Sequence, residues 1–399
     1  MKSFKHKNLI VLCSIFIISS CSSMDGLRFW KSDEIDPDEP KELVAFSNQK
    51  NIVIEWKNSF KGENEIGNFL PDFSAQNLFF SDASGNVSSI NASTGDRNWS
   101  IELNFLASGT SAGFGLVVVS DIDGNVIAVN QNDGSKLWST NVKGEVLSKV
   151  AIDAKVVVVK TGSGELLGLD KENGEILWSY RSKLPLLTVR GSSSPVIVDD
   201  LIYVSFDNGR LGVFELNSGF QVWDGAISYV KGVSELENLI DSDSSPVVDG
   251  GLIYTTNYQG NLNIFDTAQK RSVWSYETSS FYSPIVSRGM LTIVEANSGL
   301  RSFALKTLQE SWTNEDYINR DLSNAVSYKG SLVVGDFEGY VHVIDTLNGK
   351  TIGRKKISRK PIKSILSRSD SLYIIDLSLI HISEPTRPRL ISYAVFCLK

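Results

Sequence analysis

Side chains that carry out nucleophilic, metal or acid–base chemistry are scarce in this sequence. Its 399 residues include three cysteines and three histidines. Two residues of each type lie within residues 1–20 or residues 377–399, neither of which is expected to belong to the mature protein. This leaves Cys21 and His342. One cysteine and one histidine provide no disulfide, no transition-metal cluster and no histidine-based triad. His342 stands in an alternating strand pattern, YVHVID, and we predict a structural role for it.

Several aspartates could be mistaken for paired carboxylates that perform acid–base catalysis. Asp121, Asp123, Asp207 and Asp336 each precede a glycine in a polar turn between two apolar runs. Aspartate in such a turn commonly accepts hydrogen bonds from its own backbone. We therefore predict that these carboxylates cap turns. The sequence indicates no catalytic residue, no cofactor-binding residue and no metal site.

Residues 1–20 have the features of a lipoprotein signal peptide. Three lysines precede an apolar run, Leu9–Ile18, that is too short to cross a bilayer. The run ends in ISSC, which resembles a bacterial lipobox, and this resemblance implies that Cys21 is acylated and anchors the chain. Ser22 stands where aspartate would retain a lipoprotein in the inner membrane, so the outer membrane is favoured. An ordinary secretory signal beside a chance cysteine is the alternative.

Residues 377–399 are unlike native sequence. LSLIHISEPTR (Leu377–Arg387) matches a frame translation of a transposase adapter used in sequencing libraries. ISYAVFCLK (Ile391–Lys399) matches the constant far end of the same adapter. A native tail that matches over two separate blocks is the alternative. We interpret this segment as a translated adapter and exclude it from the fold prediction.

The mature chain is strongly acidic. Residues 1–20 and 377–399 together contain six basic residues and one acidic residue. Without these two segments, 33 basic and 45 acidic residues remain, which gives a net charge of −12. Such a body repels phosphate backbones, so nucleic acid is excluded as a partner. Residues 21–42 are polar and acidic, and we predict that they form a flexible tether.

A repeat of about forty residues runs through the chain. Its turn glycines stand at intervals of 39, 40, 45, 51, 39 and 40: Gly85, Gly124, Gly164, Gly209, Gly260, Gly299 and Gly339. Six tryptophans follow in step: Trp99, Trp138, Trp178, Trp223, Trp274 and Trp312. The first four of them stand four residues after a second glycine: Gly95, Gly134, Gly174 and Gly219. Lys270 and Leu308 replace that glycine in the next two repeats, and Gly353 replaces the tryptophan of the seventh.

Each repeat contains apolar, alternating runs separated by glycine turns, which is typical of short antiparallel strands. One such sheet cannot bury both of its faces, so successive sheets must stack and close into a ring. We predict an all-β, eight-bladed β-propeller of four-stranded blades over residues 43–376. The eighth blade combines an N-terminal strand at Asn51–Phe60 with two strands in Lys363–Asp376. Its remaining strand is missing if the tail is adapter, so we expect a truncated last blade.

Two stretches break the repeat where the intervals lengthen to 45 and 51. They are Pro185–Pro195 and Lys231–Val248. Extra length in a ring of sheets goes into loops at its rim, and loops on a rigid scaffold commonly bind partners.

The repeat resembles the pyrroloquinoline-quinone-type propeller repeat, GxLxALDxxTGxxxW. Proteins with this repeat include dehydrogenases and scaffolds without a cofactor, so the fold alone assigns no activity. The dehydrogenases use a vicinal disulfide, a calcium site and a catalytic aspartate. No adjacent cysteine pair exists here. A quinoprotein-like dehydrogenase is therefore kept only as an alternative, as is a periplasmic sensor or polysaccharide-binding propeller.

The motifs RGSSSP, SELENLIDSDSSPVV and VVGDFEGY resemble the BamB family of outer-membrane assembly lipoproteins, a resemblance that covers residues 21–376. It implies a non-enzymatic scaffold without cofactors, lipid-anchored on the periplasmic face of the outer membrane. The implied partners are the POTRA domains of BamA and unfolded outer-membrane proteins, bound by a monomer within a hetero-complex. The implied contact residues are Leu187, Val189, Arg190, Asp241 and Asp243.

The chemistry of these residues fits an interface. Leu187 and Val189 offer apolar surface, and Arg190 offers several planar donors. Arg190 either engages the partner or pairs with Asp241 and joins the two loops, and both are compatible with binding. Asn238 stands where many relatives carry arginine, which puts one polar contact in doubt.

The adapter interpretation predicts that the source gene does not encode LSLIHISEPTR. Amplifying the genomic locus and sequencing across codon 377 should reveal a different continuation after Asp376. Finding the same codons in genomic DNA would refute the interpretation.

Overall fold

The structure is a computed structural model that describes residues 38–61, 69–183, 193–227, 244–379 and 391–398. Residues 38–40 belong to one unit and residues from Lys41 onward to a second, larger one. Every regular element within these ranges is a β-strand. No described helix is long and apolar enough to span a membrane.

The strands are numbered in chain order, and they fall into groups of four. β1 is Ile54–Lys61. Strands β2–β5 are Asp72–Ser74, Asn77–Ser81, Asn86–Asn91 and Arg97–Glu102; β6–β9 are Ser111–Gly113, Leu116–Ser120, Asn125–Asn130 and Lys136–Asn141; β10–β13 are Ala151–Ile152, Val156–Lys160, Glu165–Asp170 and Ile176–Arg181. Strands β14–β17 are Val196–Val198, Leu201–Phe206, Arg210–Glu215 and Gln221–Ala226; β18–β21 are Val247–Asp249, Leu252–Thr255, Gly260–Asp266 and Arg271–Thr278; β22–β25 are Ile285–Ser287, Met290–Val294, Leu300–Ala304 and Gln309–Asn314. Strands β26–β29 are Val326–Tyr328, Ser331–Gly335, Tyr340–Asp345 and Thr351–Lys356, and β30–β33 are Ile362–Arg368, Ser371–Asp376, Ser378–Leu379 and Ile391–Leu398.

Blades 1 to 7 are the consecutive four-stranded antiparallel sheets β2–β5 to β26–β29. Blade 8 has the order β1-β33-β31-β30, and the short β32 pairs with β33. Contacts between the first strands of neighbouring blades place these strands innermost. The second and third strands are buried along almost their whole length, whereas the fourth is mostly exposed apart from its tryptophan position. Each blade is therefore a layer between two neighbours, with its outer strand at the rim.

Apolar side chains form a separate core between each pair of neighbouring blades in the described part of the chain. Eight such clusters are present, and each joins two consecutive sheets. The cluster that closes the ring joins Leu78 and Phe80 of blade 1 to Tyr373 and Ile375 of blade 8. No single sheet buries its faces alone, so the blades are stable only together.

The tryptophans predicted on the outer strands join each blade to the next. The Trp138 indole nitrogen donates a hydrogen bond to the Lys171 carbonyl of blade 3 at 2.8 Å, and its ring covers Gly174 in the same blade. Five tryptophans repeat this arrangement over a glycine of the following blade: Trp56 over Gly95, Trp99 over Gly134, Trp138 over Gly174, Trp178 over Gly219 and Trp312 over Gly349. These glycines have positive φ and no room for a Cβ atom, which explains why glycine recurs at this turn position.

The two repeats without this glycine retain its backbone conformation. Lys270 and Leu308 have φ angles of 54° and 55°, which are unusual for residues with a side chain. The tryptophans of the preceding blades, Trp223 and Trp274, remain half-buried and contact the rings of Phe265 and Phe303. Aromatic contacts thus join blades 4 to 5 and 5 to 6.

Blade 7 has Gly353 at the tryptophan position because the N-terminal segment lies there. A Cβ atom at Gly353 would lie 3.0 Å from Lys50. The amides of Gln49 and Lys50 donate to the Ile352 carbonyl at 2.8 and 3.0 Å. Residues 41–53, called the N-terminal segment below, therefore lie at the position where the outer strands of the other blades carry a tryptophan.

The prediction of eight four-stranded blades, with the N-terminal strand closing the last, is confirmed. The expected gap in blade 8 is wrong for the chain as it stands, because β33 lies between β31 and β1. Its sequence, ISYAVFCL, is rich in strand-forming residues, and the edges of β1 and β31 offer free backbone partners. This pairing does not identify the origin of residues 377–399, and the adapter interpretation stays a prediction.

We expect Gly174→Ala to destabilise the protein more than Gly289→Ala. The two glycines have φ angles of 76° and 75°, but a Cβ atom would lie 2.6 Å from the Trp138 ring in the first case and meets nothing within 4 Å in the second. Both changes cost about 1 kcal/mol because a residue with a Cβ atom is strained at positive φ, and the clash adds about 1–3 kcal/mol at Gly174. Urea unfolding followed by tryptophan fluorescence measures the difference. Equal decreases in the free energy of unfolding for the two variants would show that the contact between the glycine and the indole ring does not contribute to stability.

Candidate functional site

One side of the ring carries the linkers between blades and the turns between second and third strands. The Leu103 amide, for example, donates to the Gly85 carbonyl of such a turn at 2.8 Å. This side is called the linker face. The two long loops predicted from the sequence belong to it, since they are the linkers from blade 3 to blade 4 and from blade 4 to blade 5.

The predicted contact residues lie outside the described residues. The structure does not describe residues 184–192, which include Leu187, Val189 and Arg190, or residues 228–243, which include Asp241 and Asp243. Cys21 also lies outside the described part. The described residues do, however, include the points where both loops enter and leave the blades.

The C-terminal ends of the two loops are hydrogen-bonded to each other. The Ser194 amide donates to the Ser245 hydroxyl at 2.9 Å, across 51 residues of sequence. Ser245 also accepts, through its carbonyl, a 2.8 Å hydrogen bond from the Ser283 hydroxyl of the next linker. The neighbouring Ser193 and Ser244 are buried. Three successive linkers therefore meet side by side at blades 4, 5 and 6.

The N-terminal ends of the loops are fixed by the blade that follows. The Asn208 side chain of blade 4 donates to the Ser182 hydroxyl and the Lys183 carbonyl, both at 2.9 Å. The Asn263 side chain of blade 5 donates to the Ile227 carbonyl at 2.7 Å. Both loops are thus held at both ends, and their bases are neighbours on the linker face.

A hollow of about 250 Å³ lies between blades 3 and 4, at the base of the first loop. Tyr180 and Phe206 provide its apolar wall, and their rings are 6.1 Å apart. Arg181, Lys183 and Arg210 lie around it. This volume is small for a cofactor pocket but large enough for one or two side chains of a partner. No local sequence pattern indicates this hollow, because its residues come from two blades.

An exposed aromatic pair lies beside the end of the second loop. Tyr258, in a turn of blade 5, stacks on Phe281, in the linker to blade 6, with ring centroids 4.5 Å apart. Phe281 is 40% exposed. Exposed aromatic rings are enriched in protein interfaces. No sequence pattern indicates this pair, because each of the two residues by itself is an ordinary loop residue.

His342 is fully buried and occupied on both ring nitrogens. Nε2 lies 3.0 Å from an Asp336 carboxylate oxygen, and Nδ1 lies 3.0 Å from the Arg354 Nε atom. Because the Arg354 Nε–H can only donate, Nδ1 is the acceptor and the proton is on Nε2. Burial lowers the pKa of His342 and, together with the charges of Arg354 and Arg320, outweighs the opposite effect of Asp336, so the ring is neutral. This arrangement is structural and leaves no ring nitrogen for a substrate.

Arg320 completes the buried cluster around Asp336. Its guanidinium donates to Asp336 at 2.8 and 3.1 Å and also binds Glu338. Burial alone would raise the pKa of Asp336, but hydrogen bonds from His342, the Tyr340 amide and Arg320 outweigh burial and lower it. The cluster therefore joins the linker to blade 7 and two strands of that blade.

Two of the four turn aspartates, Asp121 and Asp336, cap their turns as predicted, whereas the described contact of Asp207 is an ion pair with Lys160. Asp121 accepts hydrogen bonds from the amides of Asp123 and Asn125 at 3.0 and 2.8 Å. Asp336 accepts the equivalent pair from the amides of Glu338 and Tyr340. Among the residues that the structure describes, no group of three or more histidine, cysteine or carboxylate side chains is arranged to hold a metal ion.

A second buried ion pair lies between blades 3 and 4. The Lys160 ammonium is 3.7 Å from Asp207 and donates to the Ser205 carbonyl at 3.1 Å, and both charged side chains are at most 3% exposed. Two charges withdrawn from water are costly unless they are paired. The pair therefore fixes how these two blades meet, which is a structural role.

We expect the free energy of unfolding to fall as the pH falls from 7.5 to 5.5. Unfolded histidine titrates near 6.5, whereas burial keeps His342 neutral to lower pH, so the unfolded chain binds more protons in this range. The slope reaches at most about 1.4 kcal/mol per pH unit. Urea unfolding of a His342→Gln variant should show a shallower slope than wild type, and His381→Gln provides the matched control. The same slope in wild type and His342→Gln would rule out this origin.

Comparisons with known proteins agree with this architecture. The sequence profile of the family described as outer membrane protein assembly factor BamB matches residues 83–314. The outer membrane protein assembly factor BamB of Yersinia pestis is 31% identical over 385 residues, covering 92% of this chain and 96% of the relative. The protein of that name from Legionella pneumophila is 31% identical over 371 residues, covering 92% and 95%.

Two solved structures show the same fold. The crystal structure of BamB from Moraxella catarrhalis superposes with a TM-score of 0.75 at 21% identity, covering 87% of this chain and 99% of that chain. The quinohemoprotein alcohol dehydrogenase of Comamonas testosteroni superposes with a TM-score of 0.64 at 11% identity, covering 88% and 77%. At such identities a likeness shows the fold alone. The extensive sequence matches decide the family, and the chain belongs to the outer membrane protein assembly factor BamB family.

Proposed function

We propose that this protein is a non-enzymatic scaffold of the outer-membrane protein assembly machinery. It binds the periplasmic POTRA domains of BamA through the two long loops of the linker face and thereby aids the insertion of β-barrel proteins. The observation that carries the proposal is the hydrogen bond between Ser194 and Ser245, which holds the ends of these loops side by side.

A rigid base makes loops effective in binding. Ser182 and Ile227 are fixed at the entrances, and Ser194 and Ser245 at the exits. Less conformational freedom is then lost when a partner orders the loops. Arg190 supplies directional donors for a partner carboxylate or carbonyl, and Asp241 and Asp243 supply charge of the opposite sign.

The surroundings of the loops support an interface larger than the loops themselves. The hollow at Tyr180 and Phe206 accepts side chains of the partner, and the Tyr258–Phe281 pair adds exposed aromatic surface. Buried aromatic contacts commonly contribute most of the binding free energy at interfaces.

The proposal includes an anchor at Cys21. Acylation of this residue would place the ring on the periplasmic face of the outer membrane, and residues 21–42 would tether it there. The relatives are named for outer-membrane assembly, which is the location where such an anchor would hold the protein. Within the machinery the chain acts as a monomer and contacts unfolded outer-membrane proteins.

The dehydrogenase alternative has weaker support. Its likeness is confined to the fold at 11% identity. The two described clusters with buried charges, at His342 and at Lys160, are internally paired and leave no titratable group facing a substrate.

We expect the charge reversal Arg190→Glu to reduce co-purification of BamA from detergent-solubilised envelopes at least tenfold. Losing one partner of a buried, hydrogen-bonded charge pair costs about 2–5 kcal/mol of binding. The double variant Arg190→Glu, Asp241→Arg separates the two roles of Arg190. The double variant should bind BamA like wild type if Arg190 and Asp241 only pair with each other. It should lose BamA binding if Arg190 contacts BamA directly.

The matched control is Lys155→Glu combined with Glu172→Arg. Both residues are exposed on blade 3, in turns on the side of the ring opposite the linker face. Circular dichroism and thermal unfolding should match wild type for all variants. Undiminished recovery of BamA with Arg190→Glu and with the double variant would overturn the assignment of this surface.

A further inference from the structure

A basic segment stands out in this acidic protein. The sequence RKKISRKPIK, residues 354–363, has no acidic residue and contains six basic ones: Arg354, Lys355, Lys356, Arg359, Lys360 and Lys363. The segment comprises the end of the outer strand of blade 7, the linker to blade 8 and the start of β30. The full sequence carries a formal net charge of −7, so this segment is a local reversal of sign.

Two of the six basic side chains serve the fold. Arg354 donates to His342 and to the Val44 carbonyl, both at 3.0 Å. Lys355 donates to the Ile52 carbonyl at 2.7 Å. These contacts hold the N-terminal segment on blade 7. They leave Lys356, Arg359, Lys360 and Lys363 for interactions at the surface.

Three of these cations line a groove of about 790 Å³ between blades 7 and 8. Lys356 and Arg359 are exposed, Lys360 is half-exposed, and Lys57 of β1 completes the lining. Among the described residues that line the groove, Asp376 is the one carboxylate, and it is buried and accepts a hydrogen bond from the Ser358 hydroxyl. The groove therefore presents positive charge to solvent.

The groove lies on the linker face, next to the place where the chain enters the ring. The Ile357 amide donates to the Gly339 carbonyl, in a turn of that face, at 3.0 Å. The Lys41 amide donates to Ile318 at 3.0 Å, in the linker from blade 6 to blade 7. Lys41 is only 20 residues from Cys21, and a flexible chain of that length has an end-to-end distance of about 25 Å.

We propose that this groove and its exposed cations, called the basic groove, dock the ring onto an anionic phospholipid surface. The inference rests on the proposed anchor at Cys21, which brings this part of the linker face near the membrane. Lysine and arginine attract anionic headgroups over about one Debye length, so exposed cations beside a tether orient the attached body. The described ends of the loops proposed to bind BamA lie across the ring from this groove, at blades 3 to 5.

A membrane fits these observations better than a compact ligand. Lys356, Arg359, Lys360 and Lys57 are spread over two blades around an open groove rather than gathered on one phosphate. The Lys356 ammonium lies 4.9 Å from the centre of the Tyr340 ring, which holds it at the surface without neutralising it. An extended surface of monovalent phosphates matches such a spread.

The test is sedimentation of the mature chain, produced without its acyl groups, with phospholipid vesicles. We expect binding to vesicles that contain phosphatidylglycerol and little binding to pure phosphatidylcholine, with the difference lost at about 0.5 M salt. The triple variant Lys356→Gln, Arg359→Gln, Lys360→Gln should bind the anionic vesicles at least about tenfold more weakly.

The matched control removes three exposed lysines elsewhere: Lys136→Gln, Lys155→Gln and Lys306→Gln. It changes net charge equally and should bind like wild type. The proposal is overturned if the control loses as much binding as the triple variant, or if wild type binds neutral vesicles equally well. It is also overturned if soluble glycerol phosphate or a poly-glutamate peptide abolishes vesicle binding at equal charge concentration. The first competitor would indicate a single phosphate site, and the second an acidic protein partner.

A second measurement separates this proposal from the proposed function. The triple variant should co-purify as much BamA as wild type does, because its substitutions at blade 7 and its linker lie far from the described ends of the long loops at blades 3 to 5. Arg190→Glu should show the reverse pattern: it should bind anionic vesicles like wild type and should no longer co-purify BamA. Thermal unfolding of both variants at the wild-type temperature shows that neither result comes from misfolding.

Discussion

An indole ring that covers a glycine in the next blade is the contact on which this ring depends. The Trp138 ring lies over Gly174, and its nitrogen donates to a carbonyl of the same blade. The contact combines a large apolar surface, a satisfied polar group and a backbone that only glycine adopts easily. Because it recurs between successive blades, it sets both the angle and the spacing of the sheets. Closure of the ring then follows from geometry that each repeat provides locally.

Blade 7 shows what happens when this contact is replaced. Gly353 leaves space that the N-terminal segment fills, and Arg354 and Lys355 bind its carbonyls. The same segment continues into β1, the outer strand of blade 8. One stretch of chain therefore covers blade 7, completes blade 8 and leads toward the proposed anchor. Any force transmitted through a tether would act on the junction that closes the ring.

The linker face divides into two regions of different character. Around blades 3 to 6, hydrogen-bonded serines, a small hollow and the Tyr258–Phe281 pair surround the bases of the long loops. Around blades 7 and 8, exposed cations surround a wider groove. A rigid ring keeps these regions apart, so the proposed partner protein and the proposed membrane surface would not compete for the same region. Such a division suits a scaffold, whose task is to hold other molecules in a fixed relation.

The sequence by itself determined the repeat, the number of blades and the composite eighth blade. It did so because glycine turns and tryptophan positions are local requirements that recur every forty residues. It also located the long loops and the capping role of Asp121 and Asp336. The chemistry of the individual loop residues came from a family resemblance, and those residues lie outside the described part of the structure.

Only the tertiary structure decided what lies beside what. It showed that Ser194 meets Ser245, that Gly353 makes room for the N-terminal segment, and that β33 takes the place expected to be empty. The basic segment is visible in the sequence, but its position next to Lys41 is not. These relations join residues from different blades, and pairwise distances across a ring depend on how all the sheets stack, which no local pattern encodes.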